Sequence, residues 1–261
     1  MTVIVGLSAH GSPGVTTSLT IVASTWSSGT CVLLEGDPVG GCIAARFQLG
    51  IEPGLGTLAS ANTQRPGAVS ILDHCQELPS GVPVCVAAPS PSTARRQMTL
   101  ISSLDEIASY SDATILVDLG SVDPSLTSSL DVLRQASTAI WFVRPTAEEL
   151  TLLVNRLNEV PSPPAAGIVL VGSGPYTQGM VSEAIDIPVV GSIPFDAQAS
   201  DAANIGGADR YLKRSPLSRA CRSLAATVEQ MAGLEPIVSD EPAKRSRRRR
   251  RNADDVESTH V

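Results

Sequence analysis

Nine residues, Ala9-His10-Gly11-Ser12-Pro13-Gly14-Val15-Thr16-Thr17, set two glycines and a pair of hydroxyls between a short apolar run and an apolar-periodic stretch. A strand, a glycine-bearing loop, two threonines and a helix together can hold a phosphate, because backbone N–H groups and the positive helix end converge on one anion. A cofactor phosphate is therefore assigned to Gly11, Ser12, Gly14, Val15, Thr16 and Thr17. Alone, the stretch also fits a tight turn capped by Thr16. It carries no lysine; Lys213 and Lys244 are the lysines of the chain, so the first 212 residues contain none. Two acids close apolar runs further on, Glu35 after Val32-Leu33-Leu34 and Asp118 after Ile115-Leu116-Val117, and Asp37 follows two residues behind Glu35. An aspartate in that position is a metal ligand or a helix cap.

Positioning these groups requires alternating elements. Short β-rich runs at 3–7, 31–34, 82–87, 114–117, 139–143, 167–171 and 188–190 alternate with helix-compatible stretches at 17–27, 41–48, 68–77, 93–109, 124–135, 147–158 and 178–185. Two more helices, at 197–204 and 215–231, close the series. That order predicts one α/β domain over residues 1–234, doubly wound, with a mostly parallel sheet and helices on both faces. From 235 to 261 the composition turns to Pro, Ser, Asp, Glu and Arg with few apolar residues, which predicts a disordered charged tail.

The order of motifs resembles the MinD/ParA branch of P-loop ATPases, over roughly residues 2–230. The first loop aligns without a gap on that family's phosphate loop of the form GKGGxGK[ST]T: Gly11, Gly14, Thr16 and Thr17 match, Ala9 and Ser12 replace glycines, His10 falls on the signature lysine and Val15 on the standard one. Glu35-Gly36-Asp37-Pro38-Val39-Gly40-Gly41 resembles the acidic switch, and Ile115 to Gly120 the Walker B strand. Gly54-Leu55-Gly56-Thr57-Leu58 lies where relatives turn into a short helix, residues 167–172 where they begin an adenine-contacting loop, and Ile193-Pro194-Phe195-Asp196 resembles their IP.D turn. The resemblance implies ATP or ADP with Mg2+ as cofactor, Thr16, Glu35 and Asp118 at the metal, Asp37 placing the attacking water, Pro194 beside the nucleotide, and a homodimer that recruits a protein partner. The missing lysines remove a charge-assisted bond worth about 1.5–3 kcal/mol, or roughly 10- to 150-fold in binding. The expectation is a nucleotide-binding positioning or partition switch with weak or absent hydrolysis. The alternative is a slow ATPase in which His10 or an arginine, with Arg46, Arg95, Arg96 and Arg144 as candidates, replaces lysine.

Composition excludes other classes. With 43% hydrophobic and 17% charged residues over 261 positions the chain can bury a full core. No apolar run reaches the ~18 residues of a membrane span, and the first residues enter a strand without a targeting pattern, so a cytoplasmic protein is expected, peripheral at most to nucleoid or membrane. Cys31, Cys42, Cys75, Cys85 and Cys221 lack metal or disulfide spacing, and His10, His74 and His260 are scattered. Residues 236–261 hold seven basic against five acidic residues, whereas the rest holds 12 against 21. The run from Lys244 to Arg251 is thus a candidate arm for DNA or an anionic membrane, or a solvated tail. If it is an arm, a chain ending at Leu234 loses salt-dependent binding to duplex DNA and anionic vesicles; equal binding with and without residues 235–261 removes the tail from consideration.

Overall fold

Eight strands form a single sheet in the order β3-β4-β2-β5-β1-β6-β7-β8. The computed structural model describes residues 2–11, 13–101, 103–204 and 210–236. Along the chain run β1 (Val3–Ser8), α1 (Val15–Ser24), β2 (Cys31–Glu35), α2 (Ile43–Phe47), α3 (Leu55–Gln64), a 3-10 turn (Ile71–His74), β3 (Gln76–Glu77), β4 (Pro83–Cys85), α4 (Pro91–Thr99), α5 (Leu104–Tyr110) and β5 (Thr114–Ser121). There follow α6 (Thr127–Gln135), β6 (Thr138–Val143), α7 (Ala147–Glu159), β7 (Ala165–Val171), α8 (Gln178–Ala184), β8 (Val189–Ile193), α9 (Ala197–Asn204), α10 (Arg210–Arg214) and α11 (Pro216–Met231). All strand pairs are parallel except β3 with β4.

Strands buried on both faces are apolar at most positions, and their alternating side chains feed two cores. On one face Val3, Val5, Leu34, Val117 and Trp141 meet Leu58, Met98, Ile107, Leu133 and Leu153. On the other, Ile4, Leu33, Leu116, Ile140 and Val169 meet Leu19, Val22, Leu217, Leu224 and Val228. Helices on both faces of a mostly parallel sheet are the expected architecture.

Two helix assignments are corrected. The stretch 68–77 is not a helix: one 3-10 turn is followed by the antiparallel edge strand β3. Its backbone is drawn out by partners elsewhere, Ile71 N–H donating to the Ser111 hydroxyl at 2.9 Å and the Gln76 amide reaching Gly50 and Pro53 carbonyls. The stretch 93–109 is two helices, α4 and α5. The break is held by side chains of neighbouring helices: Asn62 donates to Leu100 O at 3.1 Å, and Gln135 accepts from Leu104 N at 2.6 Å. The expectation of a disordered tail falls, beyond Pro236, outside the described residues.

One tie between distant segments was not anticipated. Glu229 on α11, 2% exposed, accepts from Ser27 N, the Ser27 hydroxyl and Ser28 N at 2.5, 2.8 and 2.9 Å. It fixes the last helix to the turn between α1 and β2. Glu229→Ala leaves these donors without an acceptor and is expected to cost roughly 2–4 kcal/mol in urea unfolding. Glu229→Gln, which keeps one acceptor oxygen, should cost less; an unchanged midpoint for both variants would show that the tie contributes nothing.

Candidate functional site

The carboxyl edge of the sheet centres on β1, flanked by β5 and then β2. Pairing sets Gly6 beside Asp118 and Asp118 beside Glu35, so two acids from distant parts of the chain become neighbours on adjacent strands. Both are 1% exposed. In an open α/β sheet this edge is where ligands bind.

The loop from β1 to α1 turns through left-handed conformations at Gly11 (φ 64°) and Gly14 (φ 94°). Among the described residues other than each glycine's own neighbours, no atom lies within 4 Å of where a Cβ would stand at Gly11 or Gly14, which leaves open space there. The first intrahelical bond runs from Ser18 N to Gly14 O at 2.9 Å. The N–H groups of Val15, Thr16 and Thr17 therefore have no acceptor within the helix. Ser12 lies outside the described residues. The Val15 side chain, 4% exposed, packs into the apolar cluster with Ile4 and Leu19, so this position contributes its N–H alone. His10 is exposed.

Ser8, missed in the sequence, braces this loop. Its buried hydroxyl lies 3.3 Å from Gly11 O and 3.2 Å from Gly120 O, tying the phosphate loop to the end of β5. A hydroxyl closing a strand just before a glycine loop was the available signal.

Asp118 Oδ1 accepts from Gly120 N at 3.1 Å, while Oδ2 is buried and has no hydrogen-bond partner among the described residues. Burial pushes this carboxyl up to about 7; the Thr16 hydroxyl and the Gly120 N–H pull it down, and the charges of Asp37 and Glu35 push it up. An orphaned carboxylate oxygen, facing a threonine at a helix start, is a fit for a hard cation.

The two other acids are held differently. Glu35 turns to the switch loop, where Oε1 accepts from Cys42 N and Ile43 N at 2.5 and 2.8 Å and Oε2 from Ala87 N at 2.9 Å. It anchors the start of α2 and the end of the β4 segment. Asp37 Oδ1 accepts from Val39 N at 2.9 Å. Its carboxylate lies against Gly120, where an added Cβ would collide with it. Burial raises its pKa, the Val39 N–H opposes that, and Glu35 adds to it. The structure thus brings Thr16, Asp37 and Asp118 to one place and sets Glu35 beside them with both oxygens engaged. Among the described residues no group of three or more His, Cys, Asp or Glu is arranged to hold a metal by itself.

Pro194 and Phe195 follow β8, with Phe195 82% exposed and its Cβ beside Gly172 at the end of β7. Asp196 caps α9 by accepting from Ala199 N at 3.0 Å. The last residue of α9, Asn204, was also missed: its Oδ1 accepts from the Thr17 hydroxyl at 3.2 Å and from Arg46 Nη1 at 3.0 Å. Nothing local in the sequence signals a contact across 187 positions.

A ParA family ATPase from Chlorobium tepidum TLS superposes on this arrangement with a TM-score of 0.68 and 19% identity, covering 86% of this chain and 97% of that one. The fold is that of the MinD/ParA P-loop ATPases. The septum site-determining protein MinD of Pyrococcus horikoshii OT3, complexed with Mg-ADP, gives a TM-score of 0.64 at 18% identity over 89% of this chain and 97% of its own. A Cyanothece McdA variant bound to ATP gives 0.65 at 12% over 91% and 98%. No family model matches the sequence, and no curated protein does. At such identities the likeness is one of fold.

The raised pKa of Asp118 sets a pH dependence. Between about pH 4 and 7 the folded protein keeps a proton on Asp118 that the unfolded chain releases, so stability falls as pH rises through that window and is level above it. Asp118→Asn removes this titration and is expected to be more stable than the parent by roughly 2–4 kcal/mol at pH 8 and equal to it near pH 3. Parallel urea melts at the two pH values check this; identical curves at pH 8 would mean that Asp118 is ionised there at no cost.

Proposed function

We propose that this chain is a nucleotide-binding positioning or partition switch of MinD/ParA type, which binds ATP or ADP with Mg2+ and hydrolyses ATP weakly or not at all. The observation that carries the reading is the pairing of an open glycine cradle at Gly11 and Gly14 with the buried, unpartnered Asp118 Oδ2, where Val15 turns into the core in place of a lysine. Gly11, Ser12, Gly14, Val15, Thr16 and Thr17 would hold the phosphates through backbone N–H groups and hydroxyls. The Thr16 hydroxyl and Asp118, the latter through water, would hold magnesium, with Glu35 setting the loop behind them. When bound, Mg2+ would neutralise phosphate charge.

Asp37, beside Gly120, would orient a water in the residual reaction, and Pro194 would flank the base. Transfer of a phosphoryl group rests on positioning and electrostatics. Backbone donors preserve the positioning, but the side-chain cation that stabilises developing charge is gone from position 15. Binding therefore survives better than turnover, which suits a protein that acts by dimerising and recruiting a partner. His10, at the exposed tip of the loop, would face the second copy of the chain. No helix among the described residues is long and apolar enough to cross a membrane, in keeping with a cytoplasmic protein that meets nucleoid or membrane only at its surface.

Calorimetry at pH 7 with Mg-ATP and Mg-ADP is expected to show binding, and Thr16→Ala to abolish its magnesium dependence. Because a cation at Asp118 favours the carboxylate, magnesium nucleotide should release about half a proton at pH 7, visible as a heat that changes between buffers of different ionisation enthalpy. Phosphate release should stay near background. Absence of binding at millimolar nucleotide would overturn the nucleotide reading; rapid hydrolysis lost in Thr16→Ala would overturn the weak-hydrolysis part alone.

A further inference from the structure

A phosphate site beside three carboxylates needs a cation, and the loop supplies none. The candidates sort by what they touch. Arg144 is exposed and pairs with Glu149 at 3.7 Å. Arg95 is exposed and donates through Nε to Pro38 O at 2.9 Å in the switch loop, with no hydrogen bond to α1 among the described residues. Arg96 is exposed on α4. Arg46 differs: half-buried on α2, it directs Nη1 to Thr17 Oγ1 at 3.4 Å and to Asn204 Oδ1 at 3.0 Å. Thr17 lies in the first turn of α1, among the residues whose N–H groups face the phosphate space.

Both oxygens that hold this guanidinium are neutral. None of the ion pairs among the described residues uses Arg46. A half-buried guanidinium with neutral partners keeps its full charge available to an arriving anion, and arginine's planar fork suits a phosphate. Its backbone is fixed as well: α2 begins at Ile43, whose N–H, with that of Cys42, is held by Glu35. The cation therefore stands on a helix tethered to the same strand edge as Asp118.

We infer that Arg46 is the phosphate-contacting cation of this site, supplying from α2 the charge that the loop lacks at Val15, with Asn204 holding the guanidinium in reserve beside Thr17. This rests on the nucleotide reading above. On binding, Arg46 exchanges a neutral amide oxygen for a phosphate oxygen, and Asn204 and the end of α9 are released from it.

The test is calorimetry of the full chain and three variants with Mg-ATP, inorganic pyrophosphate and adenosine. Arg46→Gln should weaken Mg-ATP and pyrophosphate about 10- to 150-fold and leave adenosine unchanged, the range of one charge-assisted hydrogen bond. Arg46→Lys, which keeps the charge and shortens the fork, should lie between the two, and it serves where Arg46→Gln does not fold. Asn204→Ala, which frees the guanidinium, should bind Mg-ATP at least as tightly as the parent chain. If the parent binds Mg-ATP and Arg46→Gln binds it equally well, the assignment of Arg46 falls and the nucleotide reading stands. If Asn204→Ala loses as much as Arg46→Gln, the pair is a structural tie and the assignment also falls. If the parent binds none of the phosphate ligands, both fall together.

Discussion

Two carboxylates one strand apart, both withdrawn from water, govern the carboxyl edge of this sheet. Bringing two like charges to adjacent registers of a buried parallel pair is costly, and each must be neutralised or satisfied locally. The chain solves the problem unequally. Glu35 receives three backbone N–H groups, from Cys42, Ile43 and Ala87, and through them closes the loop that begins α2. Asp118 receives one such N–H, from Gly120, and its second oxygen has no partner. The two acids thus differ, Glu35 holding structure and Asp118 keeping a free oxygen, and burial expresses that difference in the raised pKa of Asp118.

The glycine loop beside it works with backbone alone. N–H groups at a helix start, together with the partial charge of that end, favour an anion by about 0.3–1 kcal/mol per interaction at the surface and up to ~2 when partly buried. A side-chain cation is worth more than any one of these. With Val15 in the apolar cluster under α1, the loop has its shape-giving glycines and no lysine. Shape and charge are separable here because φ at Gly11 and Gly14 is set by the absence of Cβ, whereas the charge belonged to one side chain.

How much of this was legible in the sequence follows from how local each feature is. The order of strands and helices, the turn at Gly11 and Gly14, and the placing of Asp118 after an apolar run are decided within a few residues and emerged close to where the sequence put them, although α1 begins at Val15 rather than Thr17 and β5 runs on to Ser121 rather than ending at Val117. The failures are decided at a distance. Apolar spacing through Val69, Ile71 and Leu72 imitates a helix, yet the Ser111 hydroxyl takes the Ile71 N–H and β4 takes Gln76, so the stretch extends. A single helix over 93–109 is broken because Asn62 and Gln135 satisfy the exposed backbone groups at the break. Glu35 reads as a metal acid by alignment, while its three donors lie 7, 8 and 52 positions away and are invisible to any local pattern.

The same long-range contacts bear on the proposed function, because they would let turnover and switching fade separately. Asp37 rests against Gly120 at the end of the strand that carries Asp118, and Glu35 grips α2, which carries Arg46 to Thr17. Asn204 then joins that helix to α9, whose other end is capped by Asp196 beside Pro194. A change at the glycine loop therefore has two mechanical routes outward, one through the switch loop and one through α9, and neither passes through position 15. On the proposed reading, the absence of a lysine there would take charge from the phosphates without cutting either route, and such a site would be better suited to reporting which nucleotide it holds than to consuming it.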